Sequence, residues 1–165
     1  MKNIKNILIG FTIWFHQPYL SAQQVTIIPF KTLETLIKKD NDTTYIVNFF
    51  AAWCAPCVKE LPEFTAFAEQ HKVEKMQLLF VSLDFKKDYE KSLTPLSKKL
   101  NLGQNVYLLD EKNPNNWIDK ININWGGDIP ATLFLNNEKH FSKLYNQSFT
   151  KELLFQTLKS IQNAQ

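Results

Sequence analysis

The sequence predicts an α/β protein in which helices cover both faces of a central mixed sheet, a three-layer α/β/α sandwich. Three observations carry that expectation. The runs Thr44–Phe50 and Met76–Leu83 are apolar without alternation and rich in β-branched and aromatic residues, the pattern of strands buried on both faces. Helical segments alternate with these runs, which implies parallel pairing through right-handed crossovers. Near the C-terminus, Ala131–Leu135 and Lys139–Tyr145 flank Asn136-Asn137, a hairpin signal that adds antiparallel strands and makes the sheet mixed.

The elements follow in order. Val25 to Pro29 reads as a short edge strand, and Lys31 to Lys39 as a helix with Leu33, Leu36 and Ile37 on one face, ended by Asp40-Asn41-Asp42. Thr44–Phe50 belongs at the centre of the sheet. After Ala51-Ala52-Trp53 a helix runs to about His71 with Leu61, Phe64, Phe67 and Ala68 at helical spacing, interrupted and kinked by Pro62. The strand Met76–Leu83, a helix around Tyr89 to Leu100 and a strand at Val106 to Leu109 come next. Asn113 to Asn116 opens a short helix through Trp117 and Ile118, and Trp125-Gly126-Gly127-Asp128 is a loop. Beyond the hairpin, Thr150 caps a last helix that turns Leu153, Leu154, Leu158 and Ile161 inward.

With 165 residues, 44% of them hydrophobic and 13% aromatic, the chain can bury a core and is most simply one domain behind a leader. Residues 1–22 have the parts of a secretory signal: Lys2 and Lys5, an apolar run from Ile7 to Phe15, and Ser21 and Ala22 as small residues for cleavage. That run falls well short of the roughly 20 residues that span a bilayer. An uncleaved amphipathic anchor or a buried strand is the alternative reading. The working domain is then residues 23–165, with an extracytoplasmic, periplasmic setting.

Formal net charge is +3 for the whole chain, and without Lys2 and Lys5 it is near neutral. Every basic residue is Lys, so the planar fork that grips phosphate bidentately or reads guanine is missing and nucleic acid is a poor candidate partner. The two cysteines stand three residues apart in Cys54-Ala55-Pro56-Cys57. A bridge closing so small a loop constrains little of the unfolded chain, so chemistry explains the pair better than stability. A thiolate, not a thiol, attacks a disulfide, and a buried strand running through Trp53 into a helix sets Cys54 where unpaired N–H groups and the helix dipole favour an anion. Cys54 is therefore the expected nucleophile and Cys57 the thiol that resolves its mixed disulfide, with Pro56 stiffening the first helical turn. An inert bridge or half of a metal site is the bland reading of the same residues.

Val47-Asn48-Phe49-Phe50-Ala51-Ala52-Trp53-Cys54-Ala55-Pro56-Cys57-Val58-Lys59-Glu60-Leu61-Pro62 resembles the active-site segment of the thioredoxin superfamily, within it the exported TlpA/ResA-like branch. The resemblance covers nearly the whole mature chain and implies a thioredoxin-like sandwich. The longer stretch between Leu83 and Val106 matches an insertion of that branch. Asn48 stands where cytoplasmic thioredoxins carry a buried Asp, and Glu60 matches an acid that the branch places in its active-site helix, which implies that Glu60 tunes the thiols. Read without the resemblance, Glu60 is as well a solvated helix charge and Trp53 as well a core residue. The resemblance also implies a cis Ile129-Pro130 bond facing the cysteines, with the Ile129 backbone pairing with a substrate chain and Trp53 offering it an apolar surface.

The cysteine pair and the resemblance together imply a thiol–disulfide oxidoreductase that needs no cofactor, acting as a monomer to reduce disulfide-bearing exported proteins, apocytochrome c among the candidates. A membrane thiol carrier would supply its electrons. The absence of His between the cysteines points to a reducing poise. Two other classes compete. A Cu(I) metallochaperone would use the same two thiolates, but related copper carriers space their cysteines more widely and add a distant His, whereas only His71 and His140 follow the leader. A peroxidase of the peroxiredoxin type needs Thr or Ser three residues before its cysteine, where Ala51 stands.

Overall fold

The computed structural model describes residues 24–71 and 75–163; the proposed signal segment, residues 1–22, lies outside them. Six strands form one sheet in the order β1-β4-β3-β2-β5-β6: β1 Thr26–Ile28, β2 Thr44–Phe50, β3 Met76–Ser82, β4 Val106–Leu109, β5 Ala131–Asn136 and β6 Phe141–Tyr145. The first four run parallel, β5 lies antiparallel to β2, and β6 antiparallel to β5. The mixed three-layer arrangement is as expected, with β1 at an edge and β2 beside β3 in the middle. Every residue of β2 is buried, because both faces of the sheet are covered.

Alternation along β2 divides the core in two. Ile46 and Phe50 face the layer of α2 (Ala55–Gln70), α3 (Leu93–Leu100) and α5 (Lys151–Asn163), where Leu61, Phe64, Phe67, Leu154, Leu158 and Ile161 pack. Tyr45, Val47 and Phe49 face α1 (Phe30–Ile37) and α4 (Ile118–Ile121), with Leu33, Ile37, Trp117 and Trp125. Each fully buried side chain of this kind contributes about 1.5–3 kcal/mol by leaving water.

Several boundaries differ from expectation, for local reasons. Between Asp88 and Thr94 the hydrogen bonds change register, Lys91 N and Ser92 N donating to the Asp88 carbonyl and Thr94 N to that of Tyr89, so α3 begins at Leu93 rather than near Tyr89. The hairpin turn is Asn137–His140, not Asn136-Asn137; Asn136 completes β5 while its Oδ1 accepts the Lys139 N–H at 3.0 Å, and His140 takes a positive φ of 51°. α2 runs through Pro62 as one helix, with the proline on its exposed side. At the start of α5, Thr150 Oγ1 accepts the Leu153 N–H at 3.2 Å, the expected cap.

The loop from α4 to β5 returns the chain to the C-terminal end of β2. Trp125 is buried there and donates its Nε1–H to the Asp128 carbonyl at 2.9 Å. Asn146, with its amide nitrogen turned to the loop, donates to the carbonyls of Asp128 and Pro130 at 3.1 and 3.0 Å. Gly127 has φ +87°, and a Cβ there would sit 2.8 Å from Ile118 Cδ1. Gly127→Ala is therefore expected to lower the free energy of unfolding by roughly 1–3 kcal/mol, measured by urea titration, because it combines an unfavourable φ with an overfilled contact.

Candidate functional site

The chain leaves β2 at Phe50, turns through Ala51-Ala52-Trp53 and enters α2. Buried strand and helix pack on each other, so the turn between them is fixed at both ends. Asp84, just past β3, pins its middle: Oδ2 accepts the Ala52 N–H at 2.8 Å and the Ser82 Oγ–H at 2.7 Å. Cys54 is the N-cap of α2, and its Sγ accepts the Cys57 N–H at 3.3 Å. That N–H is one of the orphan donors of a helix start, and a sulfur carrying negative charge gains from it and from the dipole behind it. Cys54 and Cys57 are joined as a disulfide. Cys54 keeps 6% of its surface exposed, while Cys57 has none, so attack from outside must come at Cys54.

The sequence-selected residues fall into two groups around this bridge. On the outside, Trp53 is 63% exposed, which rules out the core-packing reading, and Pro56 lies exposed in the first turn of α2. Facing the sulfurs, the Ile129-Pro130 peptide is cis, and the Ile129 carbonyl oxygen lies 4.0 Å from Cys54 Sγ. Ile129 and Pro130 are half-buried, leaving part of their surface open beside the cysteine.

On the inside are Glu60 and Asn48. Glu60 is 3% exposed and not a solvated helix charge. Its Oε1 accepts from Asn48 Nδ2 at 2.8 Å and its Oε2 from the Phe149 N–H at 2.7 Å. Burial raises its proton affinity above that of an ordinary glutamate, and these two donors partly offset the rise. Asn48 Nδ2 also donates to Thr132 Oγ1 at 3.1 Å; the two residues are direct neighbours across β2 and β5.

Sequence reasoning missed Thr132, the Phe149 N–H and Asp84. Thr132 was within reach, since strand alternation from Pro130 puts it on the face of the cysteines. Asp84 offered the weaker signal of a carboxylate directly after a buried strand, and nothing local marks Phe149. Among the described residues no group of three or more His, Cys, Asp or Glu is gathered as a metal site would need, and no helix is long and apolar enough to cross a membrane.

Residues 31–159 match the model of the AhpC/TSA family. The chain is 31% identical over 85 residues to sporulation thiol-disulfide oxidoreductase A of Bacillus subtilis strain 168, an alignment covering 47% of this chain and 50% of that one. It thus spans about half the length of that curated relative. Among solved structures it is similar to a thioredoxin-related protein from Neisseria meningitidis serogroup B, with a TM-score of 0.64 and 19% identity over 74% of this chain and 87% of the other. StoA from Bacillus subtilis gives a TM-score of 0.54 and 24% identity over 70% and 82%. A secreted disulfide oxidoreductase of Mycobacterium tuberculosis gives 0.54 and 17% over 73% and 84%. At these identities the structures establish the fold, which is thioredoxin-like.

The buried carboxyl has a consequence for stability. Its folded proton affinity lies above the ordinary midpoint of 4.5, so the folded state holds a proton that the unfolded state has released as pH rises past that value. The resulting stabilisation is fully present below the unfolded midpoint and is lost as pH climbs through the folded one. Urea unfolding of the disulfide form is expected to show stability falling with pH by at most about 1.4 kcal/mol per unit across that window. In Glu60→Gln this component is absent.

Proposed function

The chain belongs to the AhpC/TSA family, and from that premise we propose that it is a thiol–disulfide oxidoreductase that reduces disulfides of exported proteins through Cys54 and Cys57. The observation that carries the reading is the bridged pair at the head of α2, with the Cys57 N–H on Cys54 Sγ and only Cys54 open to a partner. Residues 23–165 are the working domain behind a signal segment at 1–22, and the protein acts as a monomer in an extracytoplasmic, periplasmic setting. The secreted character of one structural neighbour supports that placement.

In the reduced protein, the Cys54 thiolate attacks one sulfur of a partner's disulfide. A Cys54–partner bond forms, the partner's other sulfur leaves as a thiolate, and it takes a proton from water. Cys57 then gives its thiol proton to Glu60, one helical turn away, and attacks Cys54 Sγ. The internal bridge closes, the partner's second sulfur leaves and is protonated, and two electrons have passed to the partner. A membrane thiol carrier restores the dithiol, and apocytochrome c is one partner whose cysteines would need such treatment.

The surroundings support a polypeptide as partner. Trp53, Phe85 and Ile123, 63%, 66% and 74% exposed, are three of the large apolar side chains left open among the described residues, and they lie in the connections that follow β2, follow β3 and precede β5. Trp53, the residue before the nucleophile, gives apolar surface that suits a chain bringing its own apolar residues. The Ile129 backbone, beside Cys54, offers strand-like pairing to it.

Cys57→Ser is expected to accumulate mixed disulfides at Cys54 with exported proteins, released by dithiothreitol, and to lose catalytic reduction. A variant that retains no partner while Cys54 remains alkylatable would overturn the reading, as would tight stoichiometric Cu(I) uptake by a protein with no disulfide reductase activity. Trp53→Ala is expected to raise KM for a disulfide-bearing protein by about tenfold, or ~1.4 kcal/mol of binding, with kcat and the rate on a small soluble disulfide unchanged.

A further inference from the structure

Asn48 lies wholly inside the core on β2, and its surroundings use only half of its amide. Both hydrogens of Nδ2 are engaged, one on Glu60 Oε1 at 2.8 Å and one on Thr132 Oγ1 at 3.1 Å. Its Oδ1 is buried with no hydrogen-bond partner. An unmade bond on a buried polar atom costs about 1–3 kcal/mol, a cost that an apolar side chain of the same size would avoid.

Glu60 accounts for the idle oxygen. Both of its present donors, the Asn48 amide and the Phe149 N–H, serve an ionised carboxylate. When a proton arrives at Oε1, the carboxyl O–H and the Asn48 N–H point at one another. A half turn of the amide about χ2 exchanges nitrogen for oxygen, and the NH2 group takes the partnerless place that Oδ1 leaves. Oδ1 then accepts from the carboxyl, and Thr132, whose hydroxyl can play either part, changes from acceptor to donor.

We propose that Asn48 is the positioning residue for Glu60: nitrogen forward it holds the ionised carboxylate ready for the Cys57 proton, and it turns over to accept from the carboxyl once that proton has arrived. This rests on the assignment of Glu60 as the acceptor for Cys57 in the exchange reaction. Without the amide, burial acts on Oε1 unopposed, and Glu60 keeps its proton to higher pH. Other ionisable groups on the elements packed around Glu60 are Cys57, Lys59, Glu63 and Glu69 of α2 with Cys54 at its cap, Lys151, Glu152 and Lys159 of α5, and Lys143 and Tyr145 of β6. Glu63 Oε2 accepts the Lys151 N–H at 3.0 Å. The face of β2 and β5 toward Glu60 brings no charge, Tyr45 lying in the opposite core.

The test reads Glu60 directly, in the full chain with its disulfide intact, so that no thiol titrates. The Glu60 carboxyl carbon and the Asn48 side-chain amide nitrogen are followed by NMR across about pH 4 to 9. Wild type is expected to show one shared midpoint, and Asn48→Leu to shift the Glu60 midpoint upward by about one pH unit, a tenfold gain in proton affinity. Different midpoints for the two signals in wild type would overturn the proposal, with no variant needed. So would an unmoved Glu60 midpoint in a folded Asn48→Leu protein. In the reduced protein, closure of the mixed disulfide by Cys57 should have its pH profile displaced by the same interval in Asn48→Leu, with its high-pH plateau kept; a lowered plateau on an unmoved profile marks a merely structural role and counts against the proposal. Loss of exchange activity with the shared midpoint intact would remove the functional reading and leave the hold of Asn48 on Glu60 standing.

Discussion

A carboxyl group enclosed in an apolar core is the constraint on which the site depends. Ionised, it loses the hydration it would have at the surface, and no lysine or histidine pairs with it among the described residues. It is tolerated because two donors converge on it from separate parts of the chain, an amide from β2 and a backbone N–H just ahead of α5. Glu60 thereby ties its own helix to the sheet and to the last helix, and each of those contacts also fixes how readily it takes a proton. Stability and chemistry are set by one arrangement of atoms, so neither can be changed there without the other.

The aromatic packing around this group explains why the arrangement holds its shape. Phe64 and Phe149 meet edge to face at 6.1 Å, Phe149 also lies against Phe134 and Tyr145 at 5.7 Å each, and Phe64 against Phe80 at 6.3 Å. Phe149 thus has its ring locked by three elements while its N–H is aimed at the carboxylate. The outer half of the site is braced separately. Asp84 fixes the turn before Trp53, and Trp125 with Asn146 fixes the loop that presents Ile129-Pro130. The apolar surface of Trp53 is therefore carried on a turn that is held from beneath.

Most of the fold was legible because its signals were local and strong. Thr44–Phe50 could be placed at the sheet centre from composition alone, and the site's position followed from a strand running into Cys54-Ala55-Pro56-Cys57. The start of α3 was not legible, since Tyr89-Glu90-Lys91-Ser92 is compatible with helix and only the bonds onto Asp88 and Tyr89 show that the register breaks. The hairpin misled for a related reason: Asn136-Asn137 suits a tight turn, but Asn136 is engaged as the last residue of β5, its Nδ2 3.3 Å from Asp42 Oδ1 and 3.4 Å from Thr44 Oγ1. Glu60 shows the deeper limit. Whether a helical glutamate is solvated or buried depends on which face of the helix meets the sheet and on what lies beneath, and residue spacing does not state that.

The spacing does, however, dictate how the proposed reaction is divided once the face is known. Cys54, Cys57 and Glu60 follow one another every three residues, Cys54 as the cap of α2 and the other two within it, so Cys57 and Glu60 lie about 4.5 Å apart along the axis and one turn from each other. The first has a sliver of exposure, the second none, and the third is enclosed with Asn48 and Thr132. One helix with its cap thus carries both the sulfur open to solvent and the enclosed carboxyl. Sulfur exchange with a bulky partner needs the outer step, where Trp53 and the Ile129 backbone are accessible. Proton storage needs the inner one, where burial can hold a carboxyl's affinity away from its ordinary value. Moving the acid outward would return it to an ordinary glutamate, and moving the nucleophile inward would close it to any protein substrate, so the order along the helix is imposed by the two kinds of chemistry.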